Sequence, residues 1–236
     1  MVVLPKEELD SIFIYRFVFP GTSDLGYACL PGARDDLVLN ALFRVLTRHV
    51  MDYPFFMEHN HSFFSSNGFE MFKEVRSWGK VEMLMHINLT PSLNSISRDR
   101  LLEKLETFVS DRVIFTLVKS FLNISILTDK GKDMSLYRGI PPANLITCFL
   151  LYFFLYEFDL AMFEVFPFPY TRYRETAILA LKCPEEVSSF SLDKLEWLLK
   201  ELTLKANVTR VVKGGLPIPC CGGKLSLDEE GNIHFL

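Results

Sequence analysis

From Leu145 to Tyr156 the chain runs for 12 residues without a charged side chain, between Pro141-Pro142 and the acidic pair Glu157 and Asp159. A membrane-crossing helix needs about 20 apolar residues. The stretch therefore predicts a helix buried in a protein core, with no membrane span. Such a helix must be covered by other elements, and the flanking sequence supplies them. Asp35 to Tyr53 carries Leu37, Val38, Ala41, Leu42, Val45, Leu46 and Val50 at a helical period. Gly68 to Trp78 repeats that period through Phe69, Phe72 and Val75, and Ser97 to Phe108 does so through Leu101, Leu102 and Leu105, with Ser97 placed to cap. Asp111 to Asn123 and Leu192 to Leu204 are two more amphipathic helices. Val81 to Leu89 alternates instead with period two, as a strand does. Hairpins are predicted at Thr128 to Tyr137 and Tyr170 to Leu181. Two further strands, Cys221 to Leu227 and Asn232 to Leu236, flank the turn Asp228-Glu229-Glu230-Gly231. Helices mixed with antiparallel hairpins predict the α+β class.

Charge and motif content exclude several functions. Lys and Arg number 25 against 29 Asp and Glu, a formal net charge of −4. Phosphate neutralisation supplies most affinity for nucleic acid, so this balance limits RNA contact to local basic patches. The five cysteines, Cys29, Cys148, Cys183, Cys220 and Cys221, are odd in number and irregularly spaced. That pattern predicts reduced thiols rather than a disulfide framework. Cys220-Cys221 lacks a second pair to complete a zinc site, and the five histidines show no H-E-x-x-H spacing. His59 and His61 have no acid at ligand spacing in the sequence and read as a surface or loop pair. Gly214-Gly215 and Gly222-Gly223 mark turns, because no phosphate-cradling glycine motif surrounds them. No metal, cofactor or small-molecule substrate is expected. A novel catalytic site would have to draw on Glu157, Asp159 or the histidines.

Six segments, in order, resemble the reverse transcriptases of group II introns. Leu30-Pro31-Gly32-Ala33-Arg34-Asp35-Asp36-Leu37-Val38 is similar to I-P-T-x-R-D-R-I-V, and Ser66-Asn67-Gly68-Phe69 to S-x-G-F-R. The stretch from Ile87 to Leu102 resembles the motif D-I-K-G-F-F-D-N-I-D-H-D-x-L-L, with Asn88 at its first aspartate. Arg138-Gly139-Ile140-Pro141-Pro142-Ala143 and the apolar helix resemble K-G-x-P-Q-G and its helix, ending in Glu157 and Asp159. Arg172-Tyr173-Arg174-Glu175-Thr176-Ala177 resembles R-Y-A-D-D-F, and Gly222 with Lys224 to Leu227 keeps part of a later hairpin. The likeness covers roughly residues 25 to 236.

The resemblance implies a reverse-transcriptase-like fold of fingers and palm. The expected division is a helical fingers-like lobe at 1–80 and a palm-like domain with an antiparallel sheet at 81–236, with Asn88 and Glu175 close together on adjacent strands. It also implies that three metal-binding carboxylates are replaced or altered, at Asn88, Glu175 and Thr176. Divalent metals that drive polymerisation want anionic oxygens. Asn88 and Thr176 are neutral, Glu175 carries an extra methylene, and Arg174 adds a positive charge. The expectation is a non-enzymatic protein whose RNA-binding candidates are Arg34, Arg138, Arg172, Arg174 and Lys224. Its expected partners are RNA, intron or ribosomal, and protein subunits of a larger assembly. A splicing factor and a purely protein-binding scaffold subunit both fit, and an active RNA-directed polymerase fits less well. No thumb or nuclease domain is matched. The 22 phenylalanines fit AT-rich organellar coding as well as a Phe-rich core. The resemblance and this composition lead to an expected location in a mitochondrion or chloroplast; since the acidic, Arg-poor start is unlike a transit peptide, the chain is expected to be encoded there or to be in mature form.

Overall fold

The computed structural model describes residues 14–17, 29–30, 33–51, 60–62, 68–90, 96–123, 125–127, 139–141 and 145–236. In chain order the elements are β1 (Ile14–Phe17), β2 (Cys29–Leu30), α1 (Ala33–Met51), α2 (Phe69–Ser77), β3 (Met83–Asn88), α3 (Arg98–Phe108), α4 (Arg112–Leu122) and β4 (Ser125–Leu127). There follow α5 (Leu145–Val165), β5 (Tyr170–Tyr173), β6 (Thr176–Leu181), α6 (Pro184–Ser189), α7 (Leu192–Glu201), β7 (Asn207–Val212), β8 (Ile218–Cys220), β9 (Gly223–Leu227) and β10 (Ile233–Phe235). The hairpin expected at 128–137 lies outside the described residues. Contacts divide the chain into two units, residues 1–49 with 96–151 and residues 50–95 with 152–236. Each unit draws on two stretches of chain, so α3 and α4 group with residues 1–49 rather than with the sheet-forming stretch of 81–236.

In the first unit, β1 pairs with β2 antiparallel and with β4 parallel. The α1 helix buries Leu39, Leu42 and Leu46, while Leu37 is 73 % and Val45 48 % exposed. The apolar period is present, but the buried stripe is rotated off those two positions. Ser97 caps α3 as its sequence predicts, its Oγ accepting from Arg100 N at 3.3 Å. Asp111 caps α4 by accepting from the Val113 and Ile114 amides. At the far end of α3 the Phe108 carbonyl lies 3.0 Å from His49 Nε2.

The second unit is built on a four-stranded antiparallel sheet in the order β5-β6-β3-β7. The central strands β3 and β6 are buried almost throughout, so both faces of the sheet are covered. On one face Leu84, Ile178, Ala180, Val211 and Tyr173 pack with Met71 and Val75 of α2 and with Cys220, Leu225 and Leu227. The last three belong to a second sheet, β10-β9-β8. On the other face Tyr170 packs edge-on against Phe158 and Phe163 of α5. Gly68 opens α2 with φ of +67°, and a Cβ there would meet the Tyr173 ring at 3.1 Å. Both conditions select glycine.

The α5 helix is longer than the apolar run predicted. It continues through Glu157 and Asp159 to Val165, reaching 21 residues. By length and composition alone it would suffice to cross a membrane, but most of it is buried within the protein. It reads as a core helix.

Candidate functional site

The register of the palm-like sheet brings three of the positions singled out in the sequence together. Asn88, the last residue of β3, lies directly opposite Thr176, the first of β6. The Leu89 amide donates to the Glu175 carbonyl at 2.7 Å, tying the end of β3 to the β5–β6 turn. Tyr173 is paired with Thr176 on the other side. Asn88, Tyr173, Glu175 and Thr176 line a cleft of about 640 Å³ together with His86, Thr90, Arg174 and the segment Pro219 to Gly223. The expected neighbourhood of Asn88 and Glu175 is therefore present.

The donor groups differ sharply from a cation site. The Asn88 side-chain carbonyl turns back and accepts from Thr90 N at 2.9 Å. Thr176 offers a hydroxyl, and among the described residues Glu175 is the one carboxylate lining the cleft. Arg174 stands in the turn with φ of +54°, its guanidinium 5.0 Å from the Tyr173 ring centre. Among the described residues, no group of three His, Cys, Asp or Glu side chains is gathered as metal ligands.

Arg172 is buried completely and does not serve as an RNA contact. Its Nε and Nη2 donate to the two Asp159 oxygens at 2.7 and 2.6 Å. Its Nη1 donates to the Arg174 carbonyl at 2.6 Å. Tyr170 Oη donates to the same Asp159 at 2.6 Å. Burial, then the Asp159 charge beside it, pushes the Tyr170 hydroxyl pKa well above its ordinary value. This network explains why Asp159 does not end α5, and it removes Asp159 from the acids open to catalysis. The remaining basic candidates fall in different units of the chain or outside the described residues. Lys224 is exposed on β9 and Arg34 is exposed in the first unit, whereas Arg138 lies outside the described residues.

The histidines are also placed. His86 is buried in the cleft wall, and that burial lowers its pKa below the ordinary 6.5. His61 does have an acid partner, Glu74 of α2 at 2.6 Å, which also accepts from Thr171 Oγ1. The sequence hid it because the partner comes from a separate element. His59 lies outside the described residues.

Sequence reasoning did not bring Cys220 and Cys221 to this site. Cys220 ends β8 opposite Gly223, leaving Cys221 and Gly222 as a two-residue loop with φ of +47° and +85°. Positive φ at both positions is the geometry of a tight hairpin turn, so the glycines here do mark a turn. The neighbouring Cys221 thiol and burial push the Cys220 thiol up, while the neighbouring Cys220 holds Cys221 down against its own burial.

Among solved structures, the chain is similar to telomerase from Candida albicans in complex with a TWJ fragment of telomeric RNA. The TM-score is 0.67 at 11 % identity, covering 99 % of this chain and 48 % of that one. It is also similar to apo telomerase from Candida tropicalis truncated from its C-terminal domain, with a TM-score of 0.56 and 9 % identity over 89 % of this chain and 52 % of that one. The chain thus spans about half the length of these structures. No protein-family model matches the sequence, and no curated protein does. At these identities the likeness concerns architecture, and the chain has the α+β fold of a reverse-transcriptase-like fingers and palm. Neither neighbour is a group II intron protein.

Proposed function

We propose that the chain is a catalytically inactive relative of group II intron reverse transcriptases, acting as a non-enzymatic component of an organellar ribonucleoprotein. The observation that carries the reading is the set of donors at the end of β3 and in the β5–β6 turn. A two-metal polymerase site needs several anionic oxygens converging on its cations. Among the described residues, the converging groups are an amide already engaged by Thr90, a threonine hydroxyl and a single glutamate, with Arg174 alongside. A fold retained without that chemistry is suited to binding. The Candida albicans telomerase was solved with an RNA fragment, which supports RNA, intron or ribosomal, as one partner. Arg174 and Lys224 are the second unit's candidate contacts.

A second reading, a scaffold subunit held by protein contacts in a large organellar assembly such as a ribosome, draws on the surface. Leu216 is 88 % exposed, and Trp197 and Leu236 are also largely exposed. The net charge of −4 gives no general attraction to phosphate.

Purification of the native complex under mild salt, with sequencing of bound RNA after ultraviolet crosslinking, separates the two. RNA crosslinked at peptides containing Arg174 or Lys224 supports the first reading. Co-purifying proteins with no crosslinked RNA support the second. Primer extension by the purified chain on a primed RNA template would overturn both.

A further inference from the structure

The cleft holds a pair of groups that the proposed RNA or scaffold role leaves unused. Cys220 is buried beneath the β8–β9 turn, while Cys221 is half-buried on the turn itself, and both line the cleft wall. A structural pair of inert thiols would be enclosed on all sides, and Cys221 is not. A metal site would need further ligands, and no third His, Cys, Asp or Glu joins the pair among the described residues.

We propose that Cys220 and Cys221 form a dithiol site that exchanges with low-molecular-weight disulfides, with Cys221 attacking and Cys220 resolving. Position assigns the roles: Cys221, on the turn, is the more exposed of the two, and Cys220 precedes it in the chain, buried at the end of β8. The Cys221 thiolate attacks one sulfur of the disulfide, the S–S bond breaks, and one small thiol leaves and takes up a proton. The Cys220 thiol then loses its proton and attacks the Cys221 sulfur, expelling the second small thiol. The protein gives up two electrons and two protons, the disulfide gains both, and no other reactant is required.

Covalent geometry makes the product reversible. Adjacent Cα atoms across a trans peptide are about 3.8 Å apart, short of the roughly 4.4–6.8 Å that an unstrained disulfide spans. A strained bridge is readily reduced.

Peptide mapping by mass spectrometry of the full chain treated with glutathione disulfide tests this. In the wild type, the peptide carrying Cys220 and Cys221 is expected to lose two hydrogens without retaining glutathione, at least about fivefold faster than Cys148 or Cys183 are modified. Dithiothreitol should restore it. Cys220→Ser should trap one glutathione on Cys221, and Cys221→Ser should leave Cys220 unmodified while the chain stays folded by circular dichroism. Failure of the pair to oxidise while Cys148 and Cys183 react, or faster modification of Cys220 than of Cys221 in the single variants, would overturn the proposal. These outcomes do not depend on whether the cleft binds RNA.

Discussion

Arg172 and Asp159 are joined by two hydrogen bonds, at 2.7 and 2.6 Å, with both side chains withdrawn from solvent. The pair links α5 to β5, and the third Arg172 bond supports the turn that carries Glu175. Removing one member of a buried ion pair leaves the other uncompensated, which costs about 3–5 kcal/mol. Arg172→Met is therefore expected to destabilise the chain by that amount in urea unfolding. The double variant Arg172→Met with Asp159→Leu should lose much less than the sum of the single losses. Additive losses would show that the two side chains do not act as a pair.

Two glycines give a controlled comparison of backbone strain and crowding. Gly79 follows α2 with φ of +77°, and a Cβ there meets nothing within 4 Å. Gly231 has φ of +84°, but a Cβ there would run into the Val81 carbonyl oxygen. The Gly231 carbonyl also accepts from Val81 N at 3.0 Å, so the two segments have little room to separate. Gly79→Ala should cost only the left-handed penalty of about 1–2 kcal/mol. Gly231→Ala adds an overpacking cost of about 1–3 kcal/mol. Equal shifts in the urea midpoint would refute the crowding argument.

What was legible in the sequence was local. Ser97 and the β5–β6 hairpin are visible because cap and alternation lie within a few residues of each other. The α5 helix runs past Glu157 because Asp159 finds Arg172 and Tyr170, partners no local window contains. Arg172 and Arg174 look alike as a basic pair, yet one closes a buried network and the other sits in a turn. β7 is not visible in the sequence, since as an edge strand it exposes Asn207, Thr209, Arg210 and Val212 and takes its register only by pairing with β3. The α6 helix, with six residues opened by Pro184, is too short to show a period. The cleft was partly readable, because Asn88, Glu175 and Thr176 meet there. Its cysteines were not, because β8 and β9 reach the palm-like sheet only through tertiary packing.

His86 couples the cleft to pH. Its pKa is lowered by burial, so the folded chain holds it neutral while the unfolded chain titrates near the ordinary 6.5. Below that value the unfolded state binds more protons, and stability falls as pH falls, until the folded-state pKa is reached. Above it the full stability is present. Urea midpoints measured between about pH 5 and 8 should decline on the acid side, and His86→Gln should flatten the decline. An unchanged acid slope in the variant would place the titration elsewhere.

If the cleft lacks cation affinity only because its carboxylates are missing, restoring them should restore binding. Asn88 and Thr176 are directly paired across the ladder, and Glu175 stands in the turn just before Thr176. An aspartate at position 88 can keep the Thr90 contact with one oxygen and offer the other to a cation. The triple variant Asn88→Asp, Glu175→Asp and Thr176→Asp is expected to bind manganese at least about tenfold more tightly than the wild type, a gain of about 1.4 kcal/mol. Titration followed by electron paramagnetic resonance reads this directly. Adding Arg174→Ala should tighten binding further by removing a like charge. Nucleotide addition need not return, since positioning of primer and nucleotide rests on other groups. Manganese held in the wild-type cleft as tightly as in the variant would show that the present donors suffice, and the inactive reading would fall with it.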